Sequence, residues 1–220
     1  MQRAFGFGQK ALNKTFTGAS RRPISTVAKA NKKGADGREL AGHIQFQLNE
    51  YEQSKYDLPE VVGLTGGKGQ SFQHPVEGSL RNGEPFSVKG LLKTANPIDQ
   101  DRKLDPNAPD VLSVDHGTMT PEQGYAFRNF INQQKNNVNR TIEKPFANKD
   151  EMLQHAKSQN NFDVYETSGQ LRTNCVHAHN HLAGLLFGVQ PKIHDHTKPE
   201  EQFQNVKNLR IQKGNGSNGQ

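Results

Sequence analysis

The segment TNCVHAHNHLAGLL, residues 173–186, holds the only cysteine of the 220-residue chain and three of its nine histidines. Its apolar residues recur at three- and four-residue spacing, as in Val176, Leu182 and Leu186, so the segment predicts a helix with one buried face. We expect Asn174 to be the N-cap and Cys175 the first helical residue. Whether Cys175 is a nucleophile, a zinc ligand or a small buried residue decides whether the protein is an enzyme.

A cysteine at the start of a helix is well placed to act as a nucleophile. The helix dipole and the unpaired amides of the first turn both stabilise a thiolate. The same amides point at any negative charge that develops beside the sulfur, so we expect them to supply an oxyanion hole. The thiol then needs a general base from elsewhere in the chain.

His43 is the leading candidate for that base. The stretch GHIQFQL, residues 42–48, alternates apolar and polar residues and predicts a strand with His43 on the face opposite the apolar one. A solvated strand histidine is the alternative interpretation. A third polar group orients the imidazole in thiol hydrolases, and we expect it to be His74, or Gln73 beside it, on a neighbouring strand of a small antiparallel meander. His116, at the end of a later predicted strand, is a weaker candidate.

The cysteine segment also invites interpretation as a metal site. Residues four apart share a helix face, so Cys175 pairs with His179 and His177 pairs with His181, and the four side chains do not converge on one ion. We therefore assign no metal ligand and no cofactor. We expect His179 to be packed in the core, and His177 and His181 to be solvated.

Four motifs in this order resemble the permuted branch of the papain-like superfamily of NlpC-type cysteine peptidases. They are AGHIQFQLN, GQSFQHP, MTPEQGYAFRNFINQQ and YETSGQLRTNCVHAHNHLAGLLFGV, and together they extend over residues 40–190. The branch includes lecithin:retinol acyltransferase-like enzymes and bacterial effector domains. The resemblance implies a circularly permuted papain-like α+β fold, with an antiparallel sheet packed against the nucleophile-bearing helix. It also implies Cys175 as nucleophile and His43 as base, with His74 at the third position.

Composition sets the outline of the chain. The net charge is +6 and 31% of residues are hydrophobic, so we expect one domain, residues 39–196, between polar segments. Residues 1–38 predict a flexible basic arm, and residues 197–220 a polar C-terminal tail. The arm is rich in basic residues and poor in acidic ones, so a solvated leader, an anion-binding segment and a mitochondrial targeting segment all remain open. No apolar run is long enough for a transmembrane helix.

The expected function is that of a cysteine hydrolase: an amidase, peptidase or deamidase acting on a peptide amide. Its substrate would be a cell-wall peptide or a host protein. We expect it to be secreted as a bacterial effector or toxin and to be cytoplasmic before export. An immunity protein or a host protein is the expected partner, and nucleic acid is not. The alternative is a non-catalytic basic binding protein, for nucleic acid or protein, in which Cys175 is structural or metal-bound.

Overall fold

The protein has an α+β fold with antiparallel sheets. The computed structural model describes residues 23–33, 39–40, 42–76, 80–81, 84–85, 88–158 and 162–212. Within these ranges the chain forms five helices, none of which is both long and apolar enough to cross a membrane. Most of the predicted basic arm, residues 1–22, lies outside the described residues.

The strands and helices follow one another along the chain with these bounds. The strands are β1 (Ile24–Lys29), β2 (Lys32–Lys33), β3 (Glu39–Leu40), β4 (His43–Gln47), β5 (Val61–Val62), β6 (Gly66–Val76), β7 (Leu80–Arg81), β8 (Glu84–Pro85), β9 (Val88–Ala95), β10 (Val111–Gly117) and β11 (Val164–Glu166). The helices are α1 (Glu50–Tyr56), α2 (Pro121–Glu143), α3 (Lys149–Ser158), α4 (Cys175–Phe187) and α5 (Pro199–Val206).

The larger sheet has four strands in the order β10-β1-β4-β5. Strand β4 forms where the alternating pattern predicts it, and it pairs with β1 so that Phe46 lies opposite Thr26. Strand β1 falls within the predicted flexible arm, and for residues 24–29 that prediction is wrong. Ile24, Val27 and Ala28 are fully buried, so this short apolar stretch is fixed at the centre of the sheet although basic residues surround it in sequence.

The second sheet has three strands in the order β11-β9-β6. The predicted meander of three neighbouring strands is only half right, since β5 pairs with β4 but β6 does not. Instead β6 pairs with β9, which places Phe72 opposite Leu92 and His74 opposite Gly90. Leu92 of strand β9 is fully buried, and its burial stabilises the strand.

Polar side chains cap the starts of two helices. Thr120 caps α2 in a complete capping box with Gln123, and Pro121 occupies the first turn. Asn174 caps α4, and the helix ends at Gly188 in the left-handed conformation that glycine adopts without strain. The start of α4 therefore confirms Cys175 as the first helical residue.

The C-terminal segment contributes to the core, contrary to the prediction of a polar tail. Helix α5 begins with Pro199 and buries Phe203 and Val206, and Ile211 is buried beyond it. The backbone amide of Ile211 also donates to the carbonyl of His116 at 2.9 Å. Phe203 and Val206 are three residues apart and lie on one face of the short helix, so their burial docks this otherwise polar segment on the core.

A buried chain of polar side chains links β1, β10, α4 and α5. Thr26 Oγ1 lies 2.8 Å from His116 Nε2 and 3.1 Å from His179 Nε2. His116 Nδ1 donates to the carbonyl of Leu209 at 2.8 Å, so its Nε2 accepts from the threonine hydroxyl. His179 Nε2 then donates to Thr26, and burial lowers the pKa of both imidazoles, which stay neutral.

We predict that Thr26→Val lowers the free energy of unfolding by about 2 kcal/mol, because it leaves both buried imidazole nitrogens without their shared partner. Urea unfolding monitored by circular dichroism measures the change. Thr118→Val, at an exposed position, is the matched control and should have little effect. Equal stabilities for the two variants would show that the network contributes nothing.

Candidate functional site

His43, the first residue of β4, forms a close pair with Asp101. The ring Nε2 donates to Asp101 Oδ2 at 2.5 Å. The carboxylate side chain is only 3% exposed and the imidazole 18%, so the contact is largely shielded from water. Shielding strengthens the interaction between the carboxylate and a charged imidazole.

Cys175 is close to the same imidazole. The electrostatic interaction of the thiol group with His43 contributes to the raised pKa of the imidazole. Cys175 is itself 5% exposed and packs with Ala28 and Ile44 of the larger sheet. Cys175, His43 and Asp101 thus form a continuous line from the start of α4, through β4, to the loop after β9.

His43 has a strongly perturbed pKa. Burial alone would lower it, but the hydrogen bond to Asp101, together with the electrostatic interactions with Asp101 and Cys175, raises the pKa from 6.5 to about 10. The imidazole is therefore positively charged at neutral pH. A charged imidazole next to a cysteine is the form that pairs with a thiolate.

Asp101, and not His74, is the polar residue that lies against the His43 imidazole. It lies in the irregular segment between β9 and β10, and it follows His43 by 58 residues. No periodic pattern marks such a position, so the sequence offered no signal beyond the carboxylate itself. His74 lies on β6, in the other sheet, and the expectation that its strand neighbours that of His43 is wrong. Its side chain is outside the described set.

Tyr165 is a further neighbour of the sulfur that sequence analysis did not identify. It lies on β11, close to Cys175 and to the acidic groups of Glu166 and Asp101. Burial and the nearby negative charges of Cys175, Glu166 and Asp101 raise the pKa of Tyr165. The phenol therefore keeps its proton at neutral pH and presents a hydrogen-bond donor beside the sulfur.

The first-turn amides of α4 are only partly available for an oxyanion hole. The amides of Val176 and His177 donate to Asn174 Oδ1 at 3.0 and 3.3 Å. The N-cap side chain thus occupies two of the donors that we expected to face the reacting group. This correction follows from the capping that starts the helix, since an N-cap oxygen accepts from these same positions.

The remaining histidines of the cysteine segment lie apart from the line of three. His179 is buried and stacks on Phe46 with ring centroids 4.1 Å apart, as expected for a core position. His177 is also buried, with Nδ1 against Asn174 Oδ1 at 2.8 Å, so the prediction that it is solvated is wrong. His181 is half-buried against Phe130.

His116 is not part of the line formed by Cys175, His43 and Asp101. His116 lies in the buried chain with Thr26 and hydrogen-bonds to the carbonyl of Leu209 instead. Within the described ranges, no group of three or more histidine, cysteine, aspartate or glutamate side chains is arranged to hold a metal ion. The described residues therefore give no support to Cys175 as a zinc ligand.

Comparison with known proteins adds no relative. A scan against models of protein families, a search of curated proteins and a search of solved structures each found no match. Function is therefore argued from the chemistry of the residues around Cys175.

The raised pKa of His43 predicts a specific pH dependence of stability. A group whose pKa is higher in the folded state stabilises the fold fully below its unfolded value, here 6.5, and that contribution is lost as pH rises towards about 10. We expect the free energy of unfolding to fall across this range in the wild type and to fall much less in His43→Gln. Urea unfolding at a series of pH values measures both. Parallel curves for the two proteins would contradict the charged imidazole, and the exposed His194→Gln is the control.

Proposed function

We propose that the protein is a cysteine hydrolase that cleaves a peptide amide through a thioester on Cys175. One observation carries the proposal, namely that His43 lies close to Cys175 and is hydrogen-bonded to the buried carboxylate of Asp101. A nucleophile, a base and a group that orients the base are the three parts that covalent acyl transfer requires.

The reaction begins with the Cys175 thiolate attacking the carbonyl carbon, which forms a carbon–sulfur bond and moves the carbonyl electrons onto oxygen. As the tetrahedral intermediate collapses, the carbon–nitrogen bond breaks and the His43 imidazolium gives its proton to the departing amine. Water then attacks the thioester while His43 accepts one of its protons. The second collapse releases the acid and regenerates the thiolate and the imidazolium.

Asp101 and Tyr165 have separate parts in this scheme. Asp101 accepts from Nε2, so it fixes the orientation of the ring beside the sulfur and stabilises the positive charge. Tyr165 donates towards the oxygen on which negative charge develops. Two first-turn amides of α4 are occupied by Asn174, and the phenol beside the sulfur takes over part of their role.

We further propose that the fold is a circularly permuted papain-like one. The order along the chain supports this, because the histidine strand β4 comes first, the carboxylate follows, and the cysteine helix α4 comes last. A cell-wall peptide or a host protein is the proposed substrate, and secretion as a bacterial effector the proposed setting. The net charge of +6 favours an acidic substrate or surface.

A small activated ester tests the covalent step without knowledge of the natural substrate. With p-nitrophenyl acetate we expect a burst of p-nitrophenol and an acetyl group on Cys175, located by mass spectrometry of proteolytic fragments. Cys175→Ala and His43→Ala should both abolish the burst. Circular dichroism should show that both variants remain folded, with His43→Ala less stable than the wild type because buried Asp101 loses its charged partner.

The same variants separate the proposal from a structural role of the cysteine. If Cys175→Ala unfolds the domain while His43→Ala leaves both fold and thiol reactivity unchanged, the thiol only fills space in the core. That result would favour the alternative of a non-catalytic binding protein.

Tyr165→Phe tests the proposed oxyanion donor. Loss of one such donor typically slows acyl transfer by about 10²- to 10³-fold, and we expect a loss in that range for acetylation of Cys175. The rate of alkylation by iodoacetamide should change far less, because that reaction develops no oxyanion. Equal losses in both reactions would mean that Tyr165 acts on the sulfur and not on the carbonyl oxygen.

A further inference from the structure

Gln45 is a buried polar residue on the same face of β4 as His43. It is fully buried, yet the alternating strand pattern would place it on a solvated face. Its Nε2 donates to Asp101 Oδ2 at 2.8 Å and to the carbonyl of Arg102 at 2.9 Å. Its Oε1 accepts from the amide of Leu104 at 2.9 Å. The Gln45 side chain thus binds Asp101, Arg102 and Leu104, three residues of the same loop segment.

The segment needs such support because Asp101 belongs to no helix or strand. Among the described residues, Asp101 Oδ1 accepts one hydrogen bond, from the amide of the next residue, Arg102. Oδ2 accepts one hydrogen bond from His43 Nε2 and a second from Gln45 Nε2. The glutamine amide is therefore the group outside the Asp101 loop, other than His43 itself, that fixes the direction of this oxygen.

Gly63 makes room for the same oxygen on the opposite side. A Cβ atom at this position would collide with Asp101 Oδ2 and would also press on the side chain of Gln45. The Gly63 amide donates to the carbonyl of Ile98 at 3.0 Å, which fixes its backbone against the loop just before Asp101. Glycine is thus required here by the close approach of a carboxylate and not by an unusual backbone angle.

We propose that Gln45 and Gly63 are positioning residues that set the Asp101 carboxylate against His43. The inference rests on the proposed role of the Cys175–His43–Asp101 line. Gln45 supplies the amide donor that directs Oδ2, and Gly63 supplies the space that Oδ2 occupies. Without either, the carboxylate turns away from Nε2, and the imidazole loses both its orientation and its anionic partner.

The experiment measures the rate of Cys175 alkylation by iodoacetamide at about pH 6 and about pH 9. The ratio of the two rates reports how much thiolate the His43 pair maintains at low pH, and a merely structural defect would not change it selectively. We expect Gln45→Leu, Gly63→Ala and Asp101→Asn each to lower the ratio by about tenfold, which corresponds to about 1.4 kcal/mol less stabilisation of the sulfur anion by His43.

Gln47→Leu is the matched control. Gln47 lies on the same strand and donates to the carbonyl of Leu104 at 2.7 Å and to Gln45 Oε1 at 3.1 Å, so it binds the same loop and Gln45 without touching Asp101. We expect its ratio to equal that of the wild type. Melting temperatures identify any variant that does not fold, and Gln45→Leu and Gly63→Ala test the proposal independently if one of them fails.

The outcomes separate this inference from the proposed function. If Asp101→Asn lowers the ratio while Gln45→Leu and Gly63→Ala retain it, the positioning role is overturned and the proposed function stands. If Gln47→Leu lowers it as much as Gln45→Leu, general loosening of the loop explains the effect and the specific role is overturned. If the wild type shows no excess reactivity at low pH, and Asp101→Asn does not differ from it, both proposals are overturned.

Discussion

A charged imidazole held away from water is the constraint on which the rest of the site depends. Burial opposes the charge on His43, and the Asp101 carboxylate and the nearby Cys175 sulfur make it stable. The Asp101 carboxylate is itself buried, with 3% of its side chain exposed. It is hydrogen-bonded to His43, Gln45 and the backbone in place of water. The polar face of β4 is consequently covered by an irregular loop, where the alternating pattern alone would leave it in solvent.

The fold brings the members of the site together through a few packing contacts. Helix α4 lies against β4, and Cys175 shares a small apolar cluster with Ala28, Ile44 and Phe203. Two of these three residues come from segments that look polar and mobile in the sequence. Strand β1 and helix α5 therefore help to hold Cys175 in place, and the buried link from Thr26 to His179 ties β1 directly to α4.

Local chemistry explains which features could be predicted from the sequence. Capping residues and periodic apolar residues are local signals, so the start of α4 and the strand of His43 were predicted correctly. Burial of β1 depends on its pairing with β4 and β10. The basic residues that flank β1 in the sequence hide its apolar character. The assignment of the third position to His74 relied on neighbouring strands in sequence being neighbours in space. Asp101 lies instead in a loop, where a carboxylate is an ordinary residue and no spacing rule distinguishes it.

The central claim is that the His43 imidazole is charged at neutral pH, and nuclear magnetic resonance of its ring tests it most directly. Comparison of the wild type with His43→Gln assigns the ring signals, which are then followed from about pH 5 to about pH 10. The account predicts that the imidazole is still protonated near pH 8, and that Asp101→Asn moves its titration to lower pH. Signals that titrate near the ordinary value of about 6.5, and that are the same with and without Asp101, would contradict it.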